Sequence, residues 1–150
     1  MIDEKIKSLG ITLPTPPKPA GSYIPVVISN KVAYVSGQIP MEDGKVLFQG
    51  KVTDENLEEA RKSAKLCAIN ILAQLKRELG SLDDIVKIIK ISGFVNSGPD
   101  FSQHPEVINA ASDLFYEIFG ENGKHSRIAV GVSSLPFNSM TKIDAIVEIK

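Results

Sequence analysis

The sequence predicts a two-layer α+β domain in which two amphipathic helices cover one face of a mixed β-sheet. Two observations carry this prediction. Short segments with strand-like alternation are interleaved with two long segments whose apolar residues recur every three or four positions, in the order β-β-α-β-α-β-β. The length of 150 residues fits one domain spanning 1–150.

Residues 1–20 are expected to form an N-terminal extended arm. Residues 1–10 have the composition of a short helical turn that ends at Gly10, and Leu13–Pro19 is rich in proline. Proline fixes φ and lacks a backbone donor, so this stretch is predicted to run over a surface, of its own domain or of a neighbouring chain, rather than inside a sheet.

The first two strands are predicted over Ile24–Ser29 and Val32–Ser36, joined by a two-residue turn at Asn30-Lys31. Gly37 then interrupts the second strand. A glycine at this place permits close approach by a ligand or another chain, and it is equally compatible with a simple bulge.

Two helices and a long central strand follow. Thr53 or Asp54 caps the first helix, which ends at Gly80. Its apolar stripe contains the single cysteine, Cys67, which is expected to be a buried thiol rather than a nucleophile. A third strand over Ile85–Val95 and a helix over Pro105–Phe119 come next. Several strands are apolar on both faces, which predicts oligomerisation through the face that the helices leave uncovered.

Arg127 begins a strand in which Ile128, Val130 and Val132 alternate with small residues. Small neighbours leave room beside the guanidinium, whose planar set of donors suits a carboxylate or phosphate. An exposed charge at a strand end is the alternative. Asp144 on the last strand is a possible acid or base if the two strands form a hairpin. Its alternative role is an ion pair with a lysine, Lys142 or Lys87.

Composition and motifs narrow the classes of function. The chain is 43% hydrophobic and 23% charged, with a net charge of -1 and no polybasic block, so neither nucleic acid nor a membrane surface is an expected partner. One cysteine and no apolar run of about 18 residues predict a cytoplasmic protein. No phosphate-binding glycine loop and no Cys/His cluster occur, so no cofactor and no metal are expected. Of the two histidines, His104 is expected to be exposed, and His125 is a weaker candidate for the rim of a site.

Several short stretches over roughly residues 20–149 form a recognisable set: Gly21-Ser22-Tyr23, Val35–Pro40 with Gly44 after it, the long helix ending in Gly80, Asp84–Lys87, His125-Ser126-Arg127 through Leu135-Pro136, and Ile143-Asp144-Ala145. In these residues and in their order, the sequence resembles the RidA (YjgF) family of enamine/imine deaminases. The resemblance implies a chorismate-mutase-like α+β fold and a homotrimer with ligand sites in the clefts between subunits.

The family resemblance also implies an activity, the hydrolysis of 2-imino acids to 2-oxo acids and ammonia. Carried over by position, the resemblance implies that Arg127 binds the substrate carboxylate and that Asp144 orients the attacking water. The implied substrate-binding residues are Tyr23, Ser36, Gly37, Asn96 and Ala129.

The sequence departs from the family pattern on the last strand. Asp144 replaces the usual Glu, and the usual Val-Glu-Ile-Glu reads Thr141-Lys142-Ile143-Asp144. The loop over 93–99 is also longer than in the deaminase prototype. Two alternatives therefore stay open: a non-catalytic trimeric module that binds small carboxylates, and an RNA-cleaving activity, against which the near-neutral charge argues.

Overall fold

The computed structural model describes residues 1–16, 19 and 21–150, with three α-helices and seven strands in those residues. The helices are α1 (Ile2–Ser8), α2 (Leu57–Leu79) and α3 (His104–Phe119). The strands are β1 (Val26–Ser29), β2 (Val32–Gln38), β3 (Met41–Glu42), β4 (Lys45–Val46), β5 (Ile85–Asn96), β6 (Ser126–Val132) and β7 (Thr141–Ile149).

The main sheet has five strands in the order β1-β2-β7-β5-β6, and β3 and β4 form a separate small hairpin. Only β5 and β6 run parallel, so the sheet is mixed. Both α2 and α3 pack on the face that carries Ile91, Ile143 and Val147, each of them fully buried. The predicted two-layer α+β architecture is confirmed.

The opposite face of the sheet, which we call the open face, has no helix packed on it in the described chain. Tyr34, Ile128 and Val130 lie there, with 46%, 41% and 41% of their surface exposed. These residues alternate along their strands with the helix-facing ones, as the pleat requires. The sequence-based expectation that another copy covers this apolar surface stays a prediction.

Local sequence explains where the main elements begin and end. Thr53 and Asn56 form a capping box ahead of α2, since the Thr53 backbone N–H donates to Asn56 Oδ1 at 2.8 Å. Gly80 ends α2 with φ of +80°. Asn30 and Lys31 have φ of 52° and 63°, which is the two-residue turn predicted between the first strands. The first strand starts at Val26 rather than at Ile24, after Pro25.

The hairpin considered between β6 and β7 is wrong, because β5 lies between them. The segment β5–α3–β6 is a parallel crossover, which places β6 at the sheet edge beside β5. The last strand then pairs antiparallel with the other side of β5 and with β2. Strand β7 thus occupies the centre of the sheet, and its alternate residues are buried.

The N-terminal arm is not extended throughout. Its first part is α1, whose Ile6 is buried in the core, and Gly10 follows with φ of +75°. The proline-rich part is only partly described, since Pro17, Lys18 and Ala20 lie outside the described residues. No helix in the described ranges is both long and apolar enough to span a membrane.

Cys67 is buried on α2, as the helical stripe predicted. Its Sγ lies 3.3 Å from Thr141 Oγ1, and burial raises the pKa of the thiol to about 12. A thiol in this state is not a nucleophile at neutral pH. The expectation of a structural cysteine is confirmed.

Candidate functional site

Arg127 lies on the edge strand β6, with its side chain directed toward α3. Its Nη1 donates to Ser112 Oγ at 3.0 Å, and its Nη2 donates to the Pro105 carbonyl at 3.4 Å. These contacts use two of the five donors of the guanidinium. The Ser112 hydroxyl and the Pro105 backbone carbonyl of α3 thus hold the guanidinium in place.

His125 extends this contact into a directed chain of hydrogen bonds. Its Nδ1 lies 2.7 Å from the Gly123 carbonyl, which can only accept, and its Nε2 lies 2.8 Å from Ser112 Oγ. The neutral ring thus donates through Nδ1 and accepts the Ser112 hydroxyl proton at Nε2. Burial lowers the pKa of His125, and the nearby positive charge of Arg127 adds to this effect, while the Gly123 hydrogen bond opposes it.

Protonation of His125 is expected to destabilise the folded protein. Its folded-state pKa lies below the value of 6.5 that an unperturbed histidine has, so the unfolded chain binds more protons between those two values. The contribution of His125 to the free energy of unfolding should be constant above that window and fall as the pH decreases through it. Urea denaturation over this range should show a weaker pH dependence in His125→Gln than in the wild type. An identical slope in both proteins would contradict the predicted lowering.

The backbone of β6 also contributes N–H and carbonyl groups to the surroundings of Arg127. Ser97 N–H donates to the Val132 carbonyl at 3.1 Å, so the peptide groups of Val132 point toward β5. Because backbone groups alternate along a strand, those of Arg127, Ala129 and Gly131 point outward from the sheet edge. Ala129 therefore presents a carbonyl and an N–H on the edge that carries the guanidinium.

A separate cleft of about 410 Å³ lies beside β2. It brings together three of the predicted binding residues: Tyr23, Ser36 and Gly37. The remaining described lining is mainly apolar and comprises Pro19, Pro25, Gln38, Ile39, Met41, Gln74, Pro136, Phe137 and Lys142. The volume lies within the range of small-molecule sites.

Buried amides on α2 fix the shape of this cleft. Asn70 Nδ2 donates to the carbonyls of Ile39 and Met41, both at 2.9 Å. Gln74 Nε2 donates to Gln38 Oε1 at 3.2 Å, and Gln38 Nε2 donates to the Ser36 carbonyl at 3.0 Å. Sequence reasoning missed both α2 amides. The sequence feature that indicates Asn70 and Gln74 is their polarity on a helix face that is otherwise apolar.

The side chain that β7 contributes to this cleft is Lys142, not Asp144. Asp144 pairs with Ser92, whereas Arg127 pairs with Ile91, and neighbouring residues of one strand point to opposite faces. Asp144 and Arg127 thus lie on opposite faces of the sheet within one chain. The juxtaposition expected from a β6–β7 hairpin is absent because β5 separates the strands.

Asn96 does not line the cleft, contrary to its predicted role in substrate binding. It is 0% exposed, and its Nδ2 lies 3.1 Å from the Ser139 carbonyl, 3.3 Å from the Gly50 carbonyl and 3.2 Å from Asn138 Oδ1. The amide therefore joins the end of β5 to the two loops that pass over it. Its role within the chain is structural.

Asn96→Ala is expected to lower the free energy of unfolding by about 2–3 kcal/mol, because the buried Ser139 carbonyl and the half-buried Gly50 carbonyl lose the amide donor. Chemical denaturation of the purified variant measures this value. A loss below about 0.5 kcal/mol, the usual effect of a surface substitution, would show that solvent replaces the amide.

His104 is half-buried rather than exposed. Its ring packs edge-on against Phe101 with centroids 5.1 Å apart, and its Nε2 lies 3.4 Å from Ser97 Oγ. Gly131 lacks the Cβ that would overlap both of these polar atoms. The glycine in β6 thus accommodates the start of α3. No group of three or more metal-ligating side chains occurs within the described ranges.

Comparison with known proteins shows which family model and which proteins the chain is similar to. A family model described as "YjgF/chorismate_mutase-like, putative endoribonuclease" matches residues 3–149. The chain is 38% identical over 146 residues to Protein TCP17 of Trypanosoma cruzi, covering 96% of this chain and 91% of that protein. It is 29% identical over 141 residues to the 2-iminobutanoate/2-iminopropanoate deaminase of Dermatophagoides farinae, covering 93% of this chain and 95% of that protein.

A solved structure shows the same fold over nearly the whole chain. The protein Atu1372 of Agrobacterium tumefaciens matches with a TM-score of 0.92 and 48% sequence identity, covering 99% of this chain and 92% of that one. The fold, the family model and the curated relatives agree with the resemblance that the sequence motifs indicated. The chain belongs to the YjgF (RidA) family with the chorismate-mutase-like fold.

Proposed function

We propose that this protein hydrolyses 2-imino acids to 2-oxo acids and ammonia in a cleft between two copies of the chain. The single observation that carries the proposal is the Arg127 guanidinium, held by Ser112 and Pro105 on an edge strand whose backbone points outward. The N–H donors not used in these contacts suit the carboxylate that every 2-imino acid carries. Ala129 adds backbone groups next to it.

Two copies are needed because Arg127 and the cleft lie at different places on one sheet. Three strand spacings, about 14 Å, separate β6 from β2. A small imino acid does not span this distance. In the proposed assembly, a homotrimer, the Arg127 edge of one copy faces the Tyr23–Ser36–Gly37 wall of the next, and the apolar open faces pack together.

The proposed reaction requires few catalytic groups from the protein. Water adds to the carbon of the protonated imine as the C=N π electrons move to nitrogen, and a proton passes from the added oxygen to that nitrogen. The C–N bond of this protonated carbinolamine then breaks as its C=O bond forms, and the nitrogen and the remaining hydroxyl proton leave together as ammonium. The product is the 2-oxo acid. The iminium carbon is already electrophilic, so a fixed carboxylate and a positioned water account for the acceleration. The proposal does not use Asp144, which is absent from the described lining of the cleft.

The deaminase of Dermatophagoides farinae supports this assignment, since it matches over most of both chains. The test is a coupled assay in which an amino-acid oxidase generates the imino acid and semicarbazide traps what has not hydrolysed. We expect less semicarbazone in the presence of this protein than with heat-denatured protein. Equal semicarbazone across several amino acids would overturn the enzymatic proposal.

One observation favours a second candidate, a non-catalytic module that binds small carboxylates. The described residues that line the cleft include no carboxylate, and hence no general base of that kind. For such a module, 2-oxobutyrate should bind without any acceleration of imine hydrolysis. Calorimetric titration with 2-oxobutyrate, beside the semicarbazide assay, separates the two candidates.

A further inference from the structure

Lys142 gives the cleft beside β2 a positive charge that the family resemblance does not account for. Its side chain lies along Gly37, where a Cβ would overlap the Lys142 Cε and lie 3.2 Å from its Cγ. The register of β2 and β7 shifts between Val35 and Gln38, which brings this glycine beside the lysine stem. The absence of a side chain at position 37 thus admits the ammonium group to the cleft.

The ammonium has no acidic partner in the part of the chain that the structure describes. No ion pair within 4.0 Å involves Lys142, and none of the described residues that line the cleft is Asp or Glu. Asp144 lies two residues further along the same face of β7 but makes no such contact. The cleft is therefore cationic, and its other polar groups, including Ser36 and Gln38, are neutral.

An unpaired cation determines which ligands this cleft accepts. A ligand that closes over Lys142 removes water from the ammonium, and this desolvation costs free energy unless the ligand supplies an anionic group. In the proposed active site the 2-carboxylate is already bound by Arg127 of a second copy. A ligand with one carboxylate therefore leaves Lys142 uncompensated, whereas a second acidic group on the ligand pairs with it.

We propose that Lys142 determines specificity by binding a second acidic group, so that the preferred ligands are 2-imino and 2-oxo dicarboxylic acids. This inference rests on the proposed function for the position of the first carboxylate. The apolar walls formed by Ile39, Met41 and Pro136 accommodate the methylene carbons between the two acidic groups. A volume of about 410 Å³ leaves room for a five-carbon diacid.

The test compares a diacid with a monoacid of similar length. Imino acids are generated from glutamate and from an apolar amino acid by the corresponding oxidases, and hydrolysis is followed by semicarbazide trapping. Affinities for 2-oxoglutarate and 2-oxobutyrate are measured in parallel by calorimetry. We expect the wild type to prefer the diacid by at least tenfold in both measurements.

Lys142→Met is the matched variant, because it keeps the length and apolar stem of the side chain and removes the charge. Its ratio of diacid to monoacid, in rate and in affinity, should fall from at least tenfold to near unity, whatever its absolute activity. Lys142→Arg should keep the preference, and Gly37→Ala should weaken it by displacing the ammonium from the cleft. Folding of each variant is checked by thermal denaturation.

The outcomes separate this inference from the proposed function. The same diacid-to-monoacid ratio in the wild type and Lys142→Met would overturn the role of Lys142, even if both proteins hydrolyse imines. Absence of hydrolysis in every protein would overturn the enzymatic proposal instead. The ratio of the two binding affinities would then still decide whether Lys142 selects the diacid.

Discussion

Arg127→Ala should reduce the rate of imine hydrolysis by at least about a hundredfold, because in the proposed site the guanidinium holds the carboxylate that positions the reacting carbon. The loss should appear with every imino acid, since all of them carry this carboxylate. The measurement is the semicarbazide competition assay, with the affinity for 2-oxobutyrate determined in parallel. Unchanged hydrolysis in Arg127→Ala would refute the role of this residue as the anchor.

Two further variants test whether the loss is specific to the guanidinium at position 127. Arg127→Lys keeps the charge but not the planar pair of donors, so it should recover only a small part of the activity. Arg61→Ala removes an arginine on α2 whose Nη1 donates to the Glu106 carbonyl of α3 and which has no role in the proposed site. It should hydrolyse imines at the wild-type rate. A comparable loss in Arg61→Ala would indicate that removal of any arginine near α3 damages the protein.

Gly93→Val should lower the free energy of unfolding by about 3 kcal/mol, the upper part of the usual range for overpacking. Gly93 faces α3 from the middle of β5, and a Cβ there would lie 2.6 Å from Ile108 Cδ1 and Cγ1 and 2.9 Å from Cγ2. Ile108 is fully buried and cannot move away into solvent. Urea denaturation of the variant gives the value.

A double-mutant cycle tests the physical cause. Ile108→Ala alone should cost about 2–5 kcal/mol through the cavity that it leaves. Combined with Gly93→Val, the new methyl groups occupy that cavity, so the double variant should be more stable than the sum of the two single effects predicts. Gly98→Ala is the matched control, since a Cβ there meets no atom within 4 Å. Strict additivity would show that the two residues do not compete for space.

The position of α3 links this packing to the site. Ser112 fixes the position of the Arg127 guanidinium through a hydrogen bond. The position of Ser112 in turn depends on how closely α3 packs against β5 and β6. Gly93 and Ala129 are paired across these two strands, and both are small. The sequence showed small residues beside Arg127 but not what fills the space next to them, because periodicity indicates the faces of an element and not which element packs there.

The sequence by itself determined the two long helices and their order among the five strands of the main sheet, the turn at Asn30-Lys31, the buried state of Cys67 and the family. These features depend on local pattern: side-chain period, caps, turn residues and short motifs. Only the tertiary structure decided that β5 separates β6 from β7, and therefore that Asp144 faces away from Arg127 and that Lys142 reaches the cleft. Strand order is set by contacts between distant segments, and a shift of one residue reverses the face of every side chain.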